Sequence, residues 1–391
     1  MTPARLLTWL CYGAMMALAI GLNLLPVFLT RLGADFGGEA GLGAEPLGRL
    51  GAVAFAGLVA GILATGPLAD RYGAKPFALL GNLLIALSLG AMAAAPTYAT
   101  LAVALFFMGL GAGILDMVLS PVVAALNPER RAVAMNWLHS FYCVGAAVTI
   151  VAGTVALELG WGWRTACLLL IPLPLALMAG FTPRAFPPLG TAGQPRTRLR
   201  VMARQLWFLG ALAAIFLGGA TELGMAQWLP AYAETALGYP AWVGGAGLLA
   251  FSIAMAAGRM AIGLLGHRHD PYHLMAAGCG LSVVLFLGAS FLPLPAAALA
   301  CAVAAGFTGS ALWPTMLAVA ADRYPEGGAT LFGVLAALGN AGGIFMPWAV
   351  GWAADRSDLH WGLSVSALAP LLMLPLVLAL RRHARPEAAV S

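Results

Sequence analysis

Three titratable side chains lie deep inside apolar stretches of this sequence: Asp116, Glu222 and His139. A charged group in hydrocarbon is costly, so it is retained there mainly where it binds or moves something. A carboxylate removed from water holds a proton more strongly, and histidine changes its charge near neutral pH. The three residues are therefore candidates for binding a proton or a sodium ion inside a membrane.

Asp116 and His139 are expected at a similar depth. Counting about 1.5 Å per helical residue puts Asp116 roughly 15 Å and His139 roughly 14 Å from the same end of two adjacent helices. Polar residues share a helical face with one or the other at three- and four-residue spacing, and these are Ser120, Asn136, Ser140 and Cys143. Two polar stripes at one depth predict a lined cavity.

Other side chains are suited to a hydroxylated solute. Amides, hydroxyls and carboxylates can hydrogen-bond to its hydroxyl groups, and an aromatic ring can pack on its apolar face. The candidate ligands are Asn23, Ser120, Asn136, His139, Tyr142, Glu222, Gln227, Trp313 and Asn340.

Structural interpretations of these residues stay open. Asp116 could pair with His139 and hold two helices together, and Glu222 could hydrogen-bond to a neighbouring helix without touching a solute. The amides could pack helices, Trp313 could be a core aromatic, and Ser120 could bond its own backbone.

Basic residues indicate the charge of the solute. No Lys or Arg is expected near the centre of an apolar run, and Arg259 is assigned to the end of one. Transport of an organic anion usually needs a buried cation to bind it. The sequence therefore predicts a neutral or cationic solute.

The elements that must position these residues are membrane helices. Hydrophobic residues make up 61% of the 391 residues, charged residues only 9%, and the mean hydropathy is +0.90. Apolar runs of about 20–25 residues are long enough to cross a bilayer, where the backbone must be helical. The first is read as a retained helix rather than a signal peptide. The twelve predicted spans are 5–31, 46–68, 74–94, 97–126, 130–158, 163–182, 204–233, 240–265, 271–293, 295–322, 329–353 and 359–380.

The distribution of positive charge predicts the orientation. Sixteen basic residues, with Arg259 among them, fall on the side of the chain termini. The four on the other side are Arg31, Arg49, Arg164 and Arg356. Basic loops stay in the cytoplasm, so we expect an inner-membrane protein with both termini cytoplasmic. Basic loops facing lipid headgroups explain the net charge of +5 without nucleic acid.

The chain is expected to consist of two six-helix bundles, residues 1–183 and 204–391. The segment 184–203 between them is rich in Pro, Gly and Arg and is typical of a cytoplasmic linker. The halves match at a constant offset of 197 positions, and the matched pairs are Gly61 with Gly258, Gly66 with Gly263 and Arg71 with Arg268. Internal duplication of this kind is typical of transporters.

The segment 66–73 reads GPLADRYG and is similar to the G-x-x-x-D-R-x-G signature of the major facilitator superfamily. A weaker copy, GLLGHR, occupies 263–268, where that family repeats it. The resemblance implies two pseudosymmetric bundles that rock about a central cavity, with Asp70, Arg71 and Arg268 in contacts that hold the cytoplasmic side shut. A simple turn with topology-setting charges is the alternative.

A second resemblance concerns the fourth, fifth and seventh spans. The segments LDMVLSP at 115–121, NWLHSFYCVG at 136–145 and ELGMAQWLP at 222–230 resemble the fucose–proton symporters and their sodium–glucose relatives. Those symporters carry an acid in the first span, where this chain has Leu22 and Asn23. A coupling scheme with two acids is therefore not carried over.

The sequence offers no cofactor site, no metal site and no catalytic motif. The five cysteines fall inside spans without a CxxC spacing. The pattern favours a monomeric symporter of a small neutral solute such as a sugar, driven by protons or sodium. The alternative is a proton-driven exporter of lipophilic or cationic compounds.

Overall fold

The structure, a computed structural model, describes residues 2–38, 41–188, 199–265, 269–324 and 328–383. Throughout these residues the regular structure is helical, and twelve segments are long and apolar enough to cross a membrane. The helices are α1 Pro3–Phe36, α2 Ala44–Tyr72, α3 Ala74–Ala94, α4 Tyr98–Leu126, α5 Arg131–Glu158, α6 Gly162–Leu170, α7 Pro172–Phe181, α8 Leu199–Met202, α9 Leu206–Thr235, α10 Ala241–Leu265, α11 Pro271–Phe291, α12 Pro295–Gly309, α13 Leu312–Arg323, α14 Gly328–Ala354, α15 Leu359–Val365 and α16 Leu368–Arg382.

The twelve predicted spans are confirmed, and three of them are interrupted. The sixth span is α6 and α7, the tenth is α12 and α13, and the twelfth is α15 and α16. Pro172 begins α7 at the first interruption, because proline fits the first turn of a helix and not its interior. The seventh span is α9, the eighth α10 and the eleventh α14.

Helix ends are fixed by local caps. Thr97 and Thr100 form a reciprocal capping box at the start of α4. Asp270 caps α11 through the Tyr272 N–H at 2.8 Å and accepts a hydrogen bond from Arg381 at 2.7 Å. Burial would by itself raise the pKa of Asp270, but the bonds from Arg381 and Tyr272 outweigh it and hold that pKa below its ordinary value.

Helices α1–α7 pack together as a first bundle, and α9–α16 pack together as a second. Glycine allows close packing inside the first bundle. A Cβ atom at Gly57 of α2 would stand 2.0 Å from the Phe106 carbonyl oxygen of α4, and one at Gly109 of α4 would stand 1.8 Å from the Ala54 oxygen. The two backbones are therefore in direct contact.

The bundles are joined at one end, opposite the chain termini. We call this the far end, and the end that holds the termini and residues 183–188 the linker end. Both carboxylate oxygens of Asp355, just after α14, accept hydrogen bonds from the first N–H groups of α2, those of Ala44 and Glu45. The Trp348 indole N–H donates to the Glu45 carboxylate at 2.7 Å. These four residues are called the latch below.

Further contacts between the bundles lie near the latch. Thr30 of α1 donates to Glu234 of α9 at 2.7 Å. A Cβ atom at Gly48 would stand 2.3 Å from the Pro347 carbonyl oxygen of α14. Within the described ranges, the hydrogen bonds between the two bundles that involve a side chain are all at the far end. The two bundles are therefore closed against each other at the far end.

The orientation stays a prediction, and single cysteines test it. In a cysteine-free background, Pro183→Cys reports the linker end and Ser357→Cys the far end; both positions are exposed. In right-side-out vesicles an impermeant thiol reagent should label Ser357→Cys and spare Pro183→Cys, because basic loops remain cytoplasmic. Rapid labelling of Pro183→Cys but not of Ser357→Cys would show that the orientation is opposite to the predicted one.

Candidate functional site

An ion pair lies in the interior of the second bundle, between Glu222 of α9 and Arg259 of α10. One guanidinium nitrogen, Nη2, donates to both Glu222 carboxylate oxygens at 3.0 and 2.9 Å. The Glu222 side chain is 12% exposed and the Arg259 side chain 32% exposed. Glu222 is near the middle of α9, so the pair is at mid-membrane depth.

The break in the tenth span completes this cluster. Pro314 has no N–H, so the Ser310 carbonyl lacks its usual helical donor, and the Arg259 Nε–H donates to that carbonyl at 3.1 Å. Trp313 follows the break; its indole N–H is 3.3 Å from Glu222 Oε2 and its ring centroid 6.0 Å from the guanidinium carbon of Arg259. A broken helix thus supplies both an acceptor and an aromatic ring.

Gly218 lets Trp313 approach Glu222. It lies one turn before Glu222 on α9, and a Cβ atom there would be 2.8 Å from the Trp313 backbone nitrogen. The backbones of α9 and α13 therefore meet at this point, which brings the indole over the carboxylate.

Arg259 lies near the end of its span, as predicted, but the inference that the interior holds no cation is wrong, because its side chain reaches Glu222. The apolar run continues on both sides of it, and α10 extends six residues beyond, to Leu265. The Arg259 backbone is about 9 Å from the end of α10, and its long side chain extends from there to Glu222. Apolar residues on both sides of Arg259 were the available signal, and counting depth from the backbone alone missed it.

The wall of the first bundle that faces Arg259 comes from α5. His139, Tyr142 and Cys143 all lie within electrostatic range of Arg259. Tyr142 is next to the amide of Asn23 on α1, and His139 is exposed. Residues predicted from three different spans therefore converge with the ion pair at the boundary between the bundles.

Asp116 stands apart from this cluster. It is half-buried on α4, as is Ser120 one turn further along the helix. In the described part of the chain it accepts no hydrogen bond and forms no ion pair, and the charged group within range of His139 is Arg259 rather than Asp116. Asp116 and His139 do not pair, so the alternative in which they hold two helices together has no contact behind it.

The other predicted ligands are placed differently. The Asn23 and Asn340 amides donate to their own helices, at Ala19 and Ala336, and keep a carbonyl oxygen for other partners. Gln227 is 4% exposed and packs on Gly51 of α2, outside the ion-pair cluster.

Part of the predicted gate and site lies outside the described residues. This applies to Arg268 and to the side chains of Asp70 and Asn136. The Arg71 guanidinium lies 5.2 Å from the ring centroid of Tyr72.

Comparison with known proteins assigns the family. The model of the Major Facilitator Superfamily matches residues 10–296 and 242–391. The chain belongs to the Major Facilitator Superfamily. The superfamily consists of transporters, so the chain is a membrane transporter and not an enzyme.

Three known proteins illustrate the likeness. The D-xylose-proton symporter aligns with a TM-score of 0.76 and 14% identity over 95% of this chain and 97% of its own. The Escherichia coli fucose:proton symporter aligns with a TM-score of 0.66 and 18% identity, over 97% of this chain and 99% of its own. A probable nitrate/nitrite transporter of Mycobacterium tuberculosis is 26% identical over 76% of this chain and 77% of its own. The superfamily and its fold are confirmed, and the likeness to the two sugar–proton symporters is a likeness of fold.

Proposed function

We propose that the protein is a proton-coupled symporter of a small, neutral, hydroxylated solute such as a sugar. The observation that carries the proposal is Asp116, a carboxylate in mid-span with no partner among the described residues. Such a group can take up a proton and release it as the bundles rock, because no salt bridge fixes its charge. Proton and solute together then favour a state that neither favours alone.

The charge of the cluster supports a neutral solute on grounds that differ from the original prediction. Arg259 is a buried cation, but Glu222 already neutralises it in a two-oxygen contact. Adding Asp116 in its ionised form leaves these three groups with one net negative charge. An anion is disfavoured in that state, whereas a polyol can accept from Arg259 and Tyr142 and pack on Trp313.

The relatives give two indications of the substrate. The structural neighbours are named for D-xylose and fucose, both neutral sugars carried with protons. The mycobacterial relative is named for nitrate and nitrite, which are anions. The sugar class agrees with the cluster in its ion-paired form. We also place the protein in the inner membrane as a monomer with its termini in the cytoplasm.

Gradient-driven uptake in proteoliposomes tests the proposal. Labelled pentoses and hexoses should accumulate with an inward proton gradient and without sodium. Sodium is the less favoured ion because it needs several oxygen ligands at once, and Ser120 is the other polar side chain on the α4 stripe of Asp116. Uptake that requires sodium would show that sodium, and not the proton, is the coupling ion. Proton-driven efflux of lipophilic cations without sugar uptake would favour the exporter.

We predict that dianions are excluded. Dicarboxylates and phosphorylated sugars should show less than about a tenth of the uptake rate of the preferred neutral sugar, because one paired cation cannot neutralise two charges. Proteoliposome uptake of labelled glucose 6-phosphate and succinate measures this. Saturable uptake of either at the rate of the neutral sugar would contradict the prediction.

A further inference from the structure

The contacts of Arg259 leave part of its guanidinium group unused. Its Nη2 donates hydrogen bonds to the Glu222 carboxylate, and its Nε donates one to the Ser310 carbonyl oxygen. Among the described residues, Nη1 has no hydrogen-bond partner. The Arg259 side chain is also the more exposed member of the pair, at 32% against 12% for the Glu222 side chain. What the pair offers to the space between the bundles is therefore a cation with free N–H donors.

The opposite wall gives Arg259 no second carboxylate. The groups of α5 within its electrostatic range are the His139 imidazole, the Tyr142 hydroxyl and the Cys143 thiol. None of them carries a permanent negative charge. Glu222 is thus the sole anionic partner of Arg259 in the described part of the chain, and protonating Glu222 would leave the guanidinium without a counter-ion.

We infer that Arg259 forms a carboxylate subsite, and that the protein binds hydroxylated monocarboxylates, such as aldonic and uronic acids, together with a proton on Glu222. This rests on the proton-coupled symport of the proposed function and uses the same site, with an acid bound where a neutral sugar would be. The solute carboxylate takes the place of the Glu222 carboxylate at the guanidinium fork, which suits planar two-oxygen recognition. The proton goes to Glu222, so the cluster keeps its net charge. Hydroxyl groups of the solute bind to Tyr142 as those of a neutral sugar would.

Thermal-shift titration of the purified protein tests the inference, with matched pairs that differ in one carboxylate: gluconate with glucitol, and galacturonate with galactose. A bound ligand stabilises the folded state by mass action. In the wild type, monocarboxylate binding should weaken by up to about tenfold per pH unit between pH 5.5 and 7.5, because one proton is taken up with the ligand.

Substitutions separate the two partners. Glu222→Gln should bind the monocarboxylate at least about tenfold more tightly at pH 7.5 and without pH dependence, because the amide imitates the protonated acid. Arg259→Gln should lose monocarboxylate binding at both pH values. Arg259→Lys keeps the positive charge but lacks the two-pronged guanidinium group, and it should bind the monocarboxylate about tenfold more weakly than the wild type. It replaces Arg259→Gln in the test if that variant does not fold. Arg164→Gln, at an exposed ion pair with Asp35, is the matched control and should behave as wild type.

The outcomes distinguish the inference from the proposed function. Failure of every monocarboxylate to stabilise the wild type, or binding that does not change with pH, overturns the inference. If neutral partners still bind in that case, the proposed function stands. Binding of the monocarboxylates without their neutral partners supports the inference and removes the neutral-solute proposal.

Discussion

Replacing Asp116 with asparagine should abolish accumulation of the solute against its gradient and leave exchange intact. In the wild type, a gradient of one pH unit supplies about 1.4 kcal/mol per proton, which supports a concentration ratio of about ten. The amide has the same shape and keeps some hydrogen-bonding capacity, but it does not titrate. The final ratio in Asp116→Asn should therefore be close to one.

Two assays on the same proteoliposomes measure this: uptake driven by a proton gradient, and counterflow with solute on both sides. The melting temperature should change little, because the described structure gives Asp116 no contact to lose. Asp35→Asn, at the exposed pair with Arg164, is the matched control. An Asp116→Asn protein that still concentrates solute with the proton dependence of the wild type would remove Asp116 from the mechanism.

A valine at Gly48 should hold the far end open. Its Cβ atom would stand 2.3 Å from the Pro347 carbonyl oxygen of the other bundle, so the closed arrangement is overpacked, whereas separation of the bundles relieves the clash. Overpacking costs about 1–3 kcal/mol, which corresponds to a shift of about 5-fold to 150-fold toward the far-end-open state. Net transport should fall accordingly, because each cycle needs the closed state.

Thiol labelling measures the shift at Cys143, which is half-buried beside Tyr142, with the other four cysteines replaced. Labelling from the far side should become at least about fivefold faster in Gly48→Val. Gly57→Val is the matched control: its Cβ atom would meet the Phe106 oxygen inside one bundle at 2.0 Å. This variant should lose stability instead. Unchanged far-side labelling in a folded Gly48→Val protein would contradict the closed state described.

The positions of the membrane helices could be predicted from the sequence, but the side-chain contacts between helices could not. Span lengths follow from bilayer thickness and backbone hydrogen bonding, so every predicted span is found. The partner of Glu222 depends on how α9 and α10 pack, which no local pattern encodes. Likewise, Pro314 reveals in the sequence that a carbonyl lacks its donor, but not that Arg259 of another helix takes that place.

The candidate site was predicted in part for the same reason. Helical periodicity predicted a polar stripe on α5, and two members of it, His139 and Cys143, lie within electrostatic range of Arg259. Asp116 and His139 were predicted at equal depth in the membrane, but they do not meet. Depth gives only the position along the helix axis, whereas the rotation of each helix about its axis decides which way a side chain points. Gln227 was chosen for its amide, but its position on α9 turns it toward Gly51.

The latch has consequences for how this protein can vary among descendants. On α2 the donors to Asp355 are main-chain N–H groups of Ala44 and Glu45, which every residue except proline supplies. The acceptor on the other bundle is one side chain. The hydrogen bond therefore depends on the side chain at position 355 and not on the one at position 44, where Ala44 packs against the core. A deep mutational scan should show small residues tolerated at position 44 and few substitutes for Asp355.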